Sequence, residues 1–282
     1  MVVCVFCILQ GEDMNTVSRY IALGHERLHC RQSGRGRRVL LAFHGYGNDA
    51  GLFDICTPYL DKEYIILSFD LPHHGGSGWP AGMRFSWAHL DRLLATVMAE
   101  FEVSKVSLLG YSMGGRVCLS IVQHMPQLVD KVTLVAADGL RTDAWYNFLT
   151  NTPVGKKVFH HFLGHPRFYF SVIKGIKNMR IIHPAVHRFI VQSLQTPKDR
   201  DFLQRVWPDM SALIPDPASV RAAIRKYQLH VCLFMGLNDH IIPASAGRKF
   251  KKGMKTVELH ILDKGHRMFD QHNTRTIAES LL

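Results

Sequence analysis

The stretch Val106-Ser107-Leu108-Leu109-Gly110-Tyr111-Ser112-Met113-Gly114-Gly115-Arg116 decides the reading of the chain. An apolar, strand-like run enters Gly-x-Ser-x-Gly and leaves into a helix-forming segment. A serine carried on so sharp a strand-to-helix turn needs glycines beside it, because a Cβ at those positions would clash. The same spacing arises by chance in loops, so the strand before it and the helix after it are what single this copy out. Ser112 is thereby predicted to stand exposed at a helix N-terminus. An unaided hydroxyl is a weak nucleophile, and the reading demands a histidine base and a carboxylate to orient it.

Outward from this turn, short β-branched runs occupy Arg38 to Phe43, Tyr64 to Phe69, Lys105 to Leu109, Lys131 to Ala136, His230 to Met235 and Val257 to Leu262. Amphipathic segments lie between or after them at Phe85 to Phe101, Met113 to Met125, Ala244 to Met254 and Thr274 to Leu281. Such alternation predicts an α/β protein, a mostly parallel sheet with crossover helices on both faces. The rhythm breaks between Arg141 and Gln228, where aromatic, Pro, His and basic residues crowd together without a clear strand. The expected organisation is an N-terminal extension over 1–19, a core over 20–140 and 229–282, and an inserted helical lid over 141–228. The lid holds 14 Lys+Arg against 5 Asp+Glu, so it carries nearly all of the chain's net charge of +11.

Parallel strands bring their C-terminal ends to one edge, so residues that follow different strands can meet there. After Val39 to Phe43 comes His44-Gly45-Tyr46-Gly47, a turn whose backbone N–H groups can face a cavity. The amide of Tyr46 is assigned to an oxyanion hole with the amide of Met113; the Tyr46 side chain could line the pocket or fill it. Gly236-Leu237-Asn238-Asp239-His240-Ile241-Ile242-Pro243 puts Asp239 on a turn just beyond a strand, and Asp263-Lys264-Gly265-His266-Arg267 does the same for His266. Of the 17 histidines only His266 and His44 directly follow strong strands at this edge. Asp138, in Ala137-Asp138-Gly139 after another strand, is the alternative acid, although it also suits a cap at the entry to the insertion.

With HGYG, GYSMGG, GLNDHIIP and DKGH in this order, the chain resembles the α/β-hydrolase superfamily over about residues 20 to 282, in its serine-nucleophile branch with a helical lid. The run Asp70-Leu71-Pro72-His73-His74-Gly75-Gly76-Ser77 resembles the family's D-x-P-G-H-G-x-S loop, with His73 where that pattern usually has Gly. The resemblance implies an eight-stranded sheet, a lid inserted after the sixth strand, no cofactor, and hydrolysis through Ser112. It says little of substrate, since the superfamily runs many chemistries on one scaffold.

Composition bounds the rest. With 282 residues, 47% hydrophobic and 20% charged, the chain can bury a large core, which excludes disorder and collagen-like repetition. Val2 to Leu9 is far short of the ~20 apolar residues that span a bilayer and lacks a basic n-region, and Met14 competes with Met1 as the start. A cytoplasmic protein is expected. Six scattered cysteines suit reduced core thiols, and Cys4/Cys7 is a CxxC without a partner pair. His161/His165 and His183/His187 have helical metal-ligand spacing, but Pro166 and Pro184 interrupt both and no acidic ligand attends them, so no metal is expected.

The lid aromatics Trp145, Tyr146, Phe148, Phe159, Phe162, Phe168, Tyr169, Phe170 and Trp207 divide between packing the lid and walling an apolar pocket. Its cations, including Lys156, Lys157, Arg167, Lys174, Lys177, Arg180 and Arg188, suit an anionic substrate, an anionic membrane surface or a merely solvated face. No motif for nucleic acid accompanies them. The expected activity is a metal-free serine hydrolase cleaving a carboxylic ester or related small acyl substrate through an acyl-enzyme. The alternatives are a C–C bond hydrolase or lyase using the same triad as acid and base, and a non-catalytic ligand binder. The C–C reading would gain from a basic residue in the pocket wall.

Overall fold

The computed structural model describes residues 16–165, 191 and 193–282. Eight strands, β1 (Val17–Ala22), β2 (Arg27–Ser33), β3 (Arg38–Phe43), β4 (Tyr64–Phe69), β5 (Val106–Tyr111), β6 (Val129–Val135), β7 (His230–Gly236) and β8 (Val257–Leu262), form one sheet. Their order is β1-β2-β4-β3-β5-β6-β7-β8. The pairs β1/β2 and β2/β4 are antiparallel and all the others parallel. Helices α1 (Thr57–Leu60), α2 (Trp87–Phe101), α3 (Met113–His124), α4 (Ala144–Asn151), α5 (Pro153–Gly164), α6 (Pro197–Asp209), α7 (Pro217–Tyr227), α8 (Ala244–Lys251) and α9 (Asn273–Glu279), with short 3-10 helices at Ala50–Cys56, Pro126–Leu128 and Met210–Ala212, complete the described elements.

The central strands are apolar at nearly every position because both of their faces are covered. Along β3, Val39, Leu41 and Phe43 enter one buried cluster with Leu93 of α2, Val117 of α3 and Val220 and Ile224 of α7. Leu40 and Ala42 point the other way, into a second cluster with Leu60 of α1 and Ile277 of α9. Period-two alternation thus feeds two cores. A third, small cluster of Leu149, Phe159, Leu163, Leu194 and Leu203 belongs to the inserted segment.

The sequence reading needs three corrections. The strand signals missed β1 and β2, whose polar, half-exposed faces give only weak alternation in RLHCRQS. Val17 to Arg19, placed in the N-terminal extension, pair with Cys30 to Gln32 and belong to the sheet. Helix α7, placed in the lid, packs its buried Val220 and Ile224 into the main core beside α3. Only packing tells to which body an amphipathic helix belongs. Residues 1–15, 166–190 and 192, with Cys4, Cys7, Met14, the aromatics Phe168, Tyr169 and Phe170 and the cations Arg167, Lys174, Lys177, Arg180 and Arg188, lie outside the described residues.

The loop after β4 is tied to the sheet by Asp70, 2% exposed, whose Oδ1 accepts the Ala50 N–H at 2.6 Å and whose Oδ2 accepts the Gly76 N–H at 2.6 Å and His29 Nδ1–H at 2.7 Å. Gly75, at φ +48°, passes so close that a Cβ there would overlap this carboxylate. Asp70→Ala orphans the buried Ala50 N–H and also strips the Gly76 N–H and the His29 ring of their acceptor. Urea denaturation should register a loss of about 3 kcal/mol or more with an unchanged m-value.

Candidate active site

Ser112 follows the last residue of β5 and precedes the first of α3, at φ +49° and ψ −115°. A non-glycine residue in that region stores strain of about 1–3 kcal/mol and persists only where its surroundings hold it. Here the Ser112 N–H donates to Val135 O at 3.0 Å, and its carbonyl accepts from Gly115 N and Asp138 N, each at 2.9 Å. Gly114 permits the turn, since a Cβ on it would run into the Phe43 carbonyl of β3. The hydroxyl is left at the positive end of α3.

Three predicted residues come together here. His266, on the loop after β8, places Nε2 3.0 Å from Ser112 Oγ and Nδ1 2.8 Å from Asp239 Oδ2. A carboxylate only accepts, so Nδ1 carries the proton and Nε2 is free to accept from the serine. Asp239, fully buried on the turn after β7, also accepts Ile241 N and Ile242 N at 2.9 Å through Oδ1. Tyr111, which the sequence reading passed over, donates its hydroxyl to the His266 carbonyl at 3.1 Å and sets its ring 5.6 Å from the imidazole. Burial, and then the charge of Asp239, push the Tyr111 phenol up to about 12, so it remains a donor. The signal for Tyr111 was its place at the end of the motif strand.

Asp138, the alternative acid, is engaged elsewhere. Its Oδ2 accepts Arg116 Nε at 2.9 Å and also Arg116 Nη2, while Oδ1 accepts Gly139 N at 2.7 Å. Arg116, one turn into α3 and only 8% exposed, lies with its guanidinium carbon 4.2 Å from the Tyr146 ring centroid. Burial opposes the Arg116 charge, and Asp138 more than offsets it, so its pKa is raised. The only sequence signal for this pair is the place of Arg116 one helical turn after Ser112.

A cavity of about 290 Å³ opens beside the serine. Tyr46, Ser112, Met113, Arg116 and Asp138 line it from the core, Tyr146 and Trp207 from the inserted segment, and Ile241 and Ile242 from the turn after β7. The Tyr46 ring packs 5.1 Å from Phe202 of α6, and its hydroxyl bonds Ser193, so the side chain reaches the inserted segment. Phe159 stacks on Trp207 at 5.5 Å and serves the segment's own packing.

Two histidines brace the turns around the site. His44 Nδ1 donates to Gly45 O at 2.8 Å and Nε2 accepts the Leu71 N–H at 3.0 Å. His74 Nδ1 donates to Pro72 O at 2.8 Å and Nε2 accepts the Gly47 N–H at 3.2 Å. Each ring is thereby required in its neutral form, and burial lowers both pKa values, that of His74 to about 3. His73, where the family pattern has glycine, adopts φ +67°, and its Nε2 pairs with Asp209 Oδ2 at the end of α6 at 2.8 Å. That buried contact ties the loop to the inserted segment.

Among the described residues one group could approach a metal ion: Cys232 of β7 with Glu258 and His260 of β8, whose ligand atoms lie within 4.8 Å of one another. None of them lines the Ser112 cavity. His165 spends Nδ1 on the His161 carbonyl at 3.1 Å; His183 and His187 lie outside the described residues. Cys30, Cys56, Cys118 and Cys232 are buried free thiols. No described helix is long and apolar enough to cross a membrane.

Residues 39–279 match the Alpha/beta hydrolase family, and the chain belongs to it. It is 22% identical over 275 residues, covering 96% of this chain and 98% of the relative, to a Bacillus subtilis protein named Uncharacterized hydrolase YugF. It is 25% identical over 254 residues, 85% of this chain and 84% of the relative, to an Escherichia coli 2-hydroxy-6-oxononadienedioate/2-hydroxy-6-oxononatrienedioate hydrolase. Among solved structures it resembles the 2-hydroxy-6-oxo-6-phenylhexa-2,4-dienoate hydrolase of a Rhodococcus strain, with TM-score 0.62, 21% identity, and 90% and 93% of the two chains covered. An esterase from Exiguobacterium antarcticum gives TM-score 0.59 at 18% identity, with 91% and 94% covered.

The histidine braces set a pH dependence. Below about pH 6.5 the unfolded chain protonates these rings, whereas the folded chain keeps His74 neutral down to about 3. Stability present above 6.5 is therefore lost as the pH falls toward 3, by up to about 1.4 kcal/mol per pH unit for His74. Denaturant midpoints should drop from about pH 7 to about pH 5, with a shallower drop in His74→Gln.

Proposed function

We propose that the protein is a serine hydrolase acting on a carboxylic ester or a closely related small acyl substrate. The observation that carries this reading is the unbroken hydrogen-bonded line Ser112 Oγ, His266 Nε2, His266 Nδ1, Asp239 Oδ2, with separations of 3.0 and 2.8 Å. Ser112 Oγ attacks the acyl carbon as its proton passes to His266 Nε2, and the carbonyl oxygen becomes an oxyanion. The amides of Tyr46 and Met113 receive that charge. Collapse breaks the bond to the leaving oxygen, which takes the proton from His266 and departs, leaving Ser112 acylated. Water then attacks with His266 again as base, and the acid is released. Asp239 keeps the imidazole in the productive tautomer throughout. The reading needs no cofactor or metal and no nucleic-acid partner.

The Exiguobacterium esterase supports the ester reading. A second reading, C–C bond hydrolysis with the same residues as acid and base, is favoured by the likeness to the two dienoate-type hydrolases. The described lid cations Lys156 and Lys157 border a surface hollow with His160 and His161 and do not line this cavity, which leaves them without a part in binding there.

A fluorophosphonate probe should label Ser112, and p-nitrophenyl esters of graded length should be turned over. Ser112→Ala should abolish labelling and reduce kcat by about 10³-fold or more with the fold intact, and Ser112→Ala/His266→Ala should be no worse than either single variant. Labelling at another residue refutes the assignment, and efficient C–C cleavage with negligible ester turnover selects the second reading. Asp239→Asn should cost more in kcat than Asp138→Asn, by about 10²-fold or more, since only Asp239 touches His266.

A further inference from the structure

The cavity beside Ser112 is charge-balanced, and its buried cation is neutralised by one carboxylate. Four charged residues line it, Arg116 and Arg141 against Asp138 and Asp143, and the remaining lining is mainly apolar and aromatic. Arg116 is the deep one. By itself a buried guanidinium in an apolar wall would be a strong attractor of anions. Asp138 removes that attraction by accepting Nε and Nη2 on the same oxygen. It is pinned in place by the Gly139 N–H on its other oxygen. Of the two side chains the carboxylate is the more accessible, 30% exposed against 10% for the guanidinium. The last nitrogen, Arg116 Nη1, is sealed from solvent and has no hydrogen-bond partner among the described residues. A carboxylate entering the cavity therefore meets an acid first and a neutralised base behind it.

Resting on the serine-hydrolase reading above, we infer that Asp138 is a specificity-determining residue that masks Arg116, so that the substrate group filling this cavity is uncharged. A compact alkyl or aryl group suits the wall of Met113, Leu140, Tyr146, Trp207 and Ile242. A substrate carboxylate that reached the Arg116–Asp138 pair would add a third charge to it, and the other cation of the lining, Arg141, is exposed rather than set deep in the cavity. An arginine beside the nucleophile would on its own suggest an acidic substrate. Paired in this way, it serves instead to hold Tyr146 and the start of the insertion against α3.

Two matched pairs of esters test this by presenting charge on either side of the scissile bond. One pair is p-nitrophenyl pentanoate and p-nitrophenyl hemisuccinate; the other is phenyl acetate and 4-carboxyphenyl acetate. In the pair whose variable group enters the cavity, the neutral member should be favoured at least about tenfold in kcat/KM. Asp138→Asn, which keeps the side chain's shape but has a single acceptor oxygen where Asp138 offers one to Arg116 and another to Gly139 N, should reduce that ratio about tenfold by unmasking the guanidinium, and Asp138→Ser should act in the same direction. Calorimetric titration of Ser112→Ala and Ser112→Ala/Asp138→Asn with the same four compounds reads the preference as Kd ratios without turnover. Equal use of both members in both pairs, preference for the carboxylates, or ratios that Asp138→Asn leaves unchanged would overturn the inference. Retained binding preference without hydrolysis by the unmodified protein refutes the serine-hydrolase reading and leaves the inference standing. Hydrolysis without preference does the reverse.

Discussion

The structure depends on the turn at Ser112, a left-handed residue wedged between a buried strand and a buried helix. Its strain is held by hydrogen bonds to β6 and to the chain after it, through Val135 O and Asp138 N, so the site cannot relax without disturbing the centre of the sheet. The same close packing explains Gly114, which lets α3 approach the end of β3. With α3 pressed against β3, the His44 to Gly47 turn and the serine are brought to one side of the sheet. The parallel strands β7 and β8 then deliver Asp239 and His266 to that edge.

Around that turn, three buried side chains are held by the backbone groups they satisfy. Asp70, His44 and His74 satisfy backbone donors and acceptors of loops that carry no regular structure of their own. Neutral histidines suit this task because each ring offers one donor and one acceptor, which matches one carbonyl and one N–H. His73 extends the same logic to the insertion. A residue in a glycine-type conformation is tolerated there because its side chain closes a buried pair with Asp209.

The cavity shows why a list of lining residues is a poor guide to charge. Arg116 read singly is a basic residue next to Ser112; read with Asp138 it is half of a pair whose acid is the more exposed member. Formal charge on the inserted segment is no better a guide, since Arg141 lines the cavity while Lys156 and Lys157 border a separate surface hollow.

From the sequence alone the α/β class, six of the strands, the serine and its two partners could be read. Each of these is written locally: a strand is a run of β-branched residues, a nucleophile turn is a glycine spacing, and Asp239 and His266 stand directly after strands. Tertiary structure decided what local pattern does not encode. β1 and β2 carry weak alternation and are strands because β4 offers β2 an edge, to which β1 then adds. Helix α7 looks like part of the insertion and joins the core because its apolar stripe fits α3. Asp138 had two readings open, acid or cap, and it was Arg116, distant in sequence and adjacent in space, that drew its carboxylate into the cavity wall. Charge pairing falls off with distance through space, and no spacing along the chain reports it.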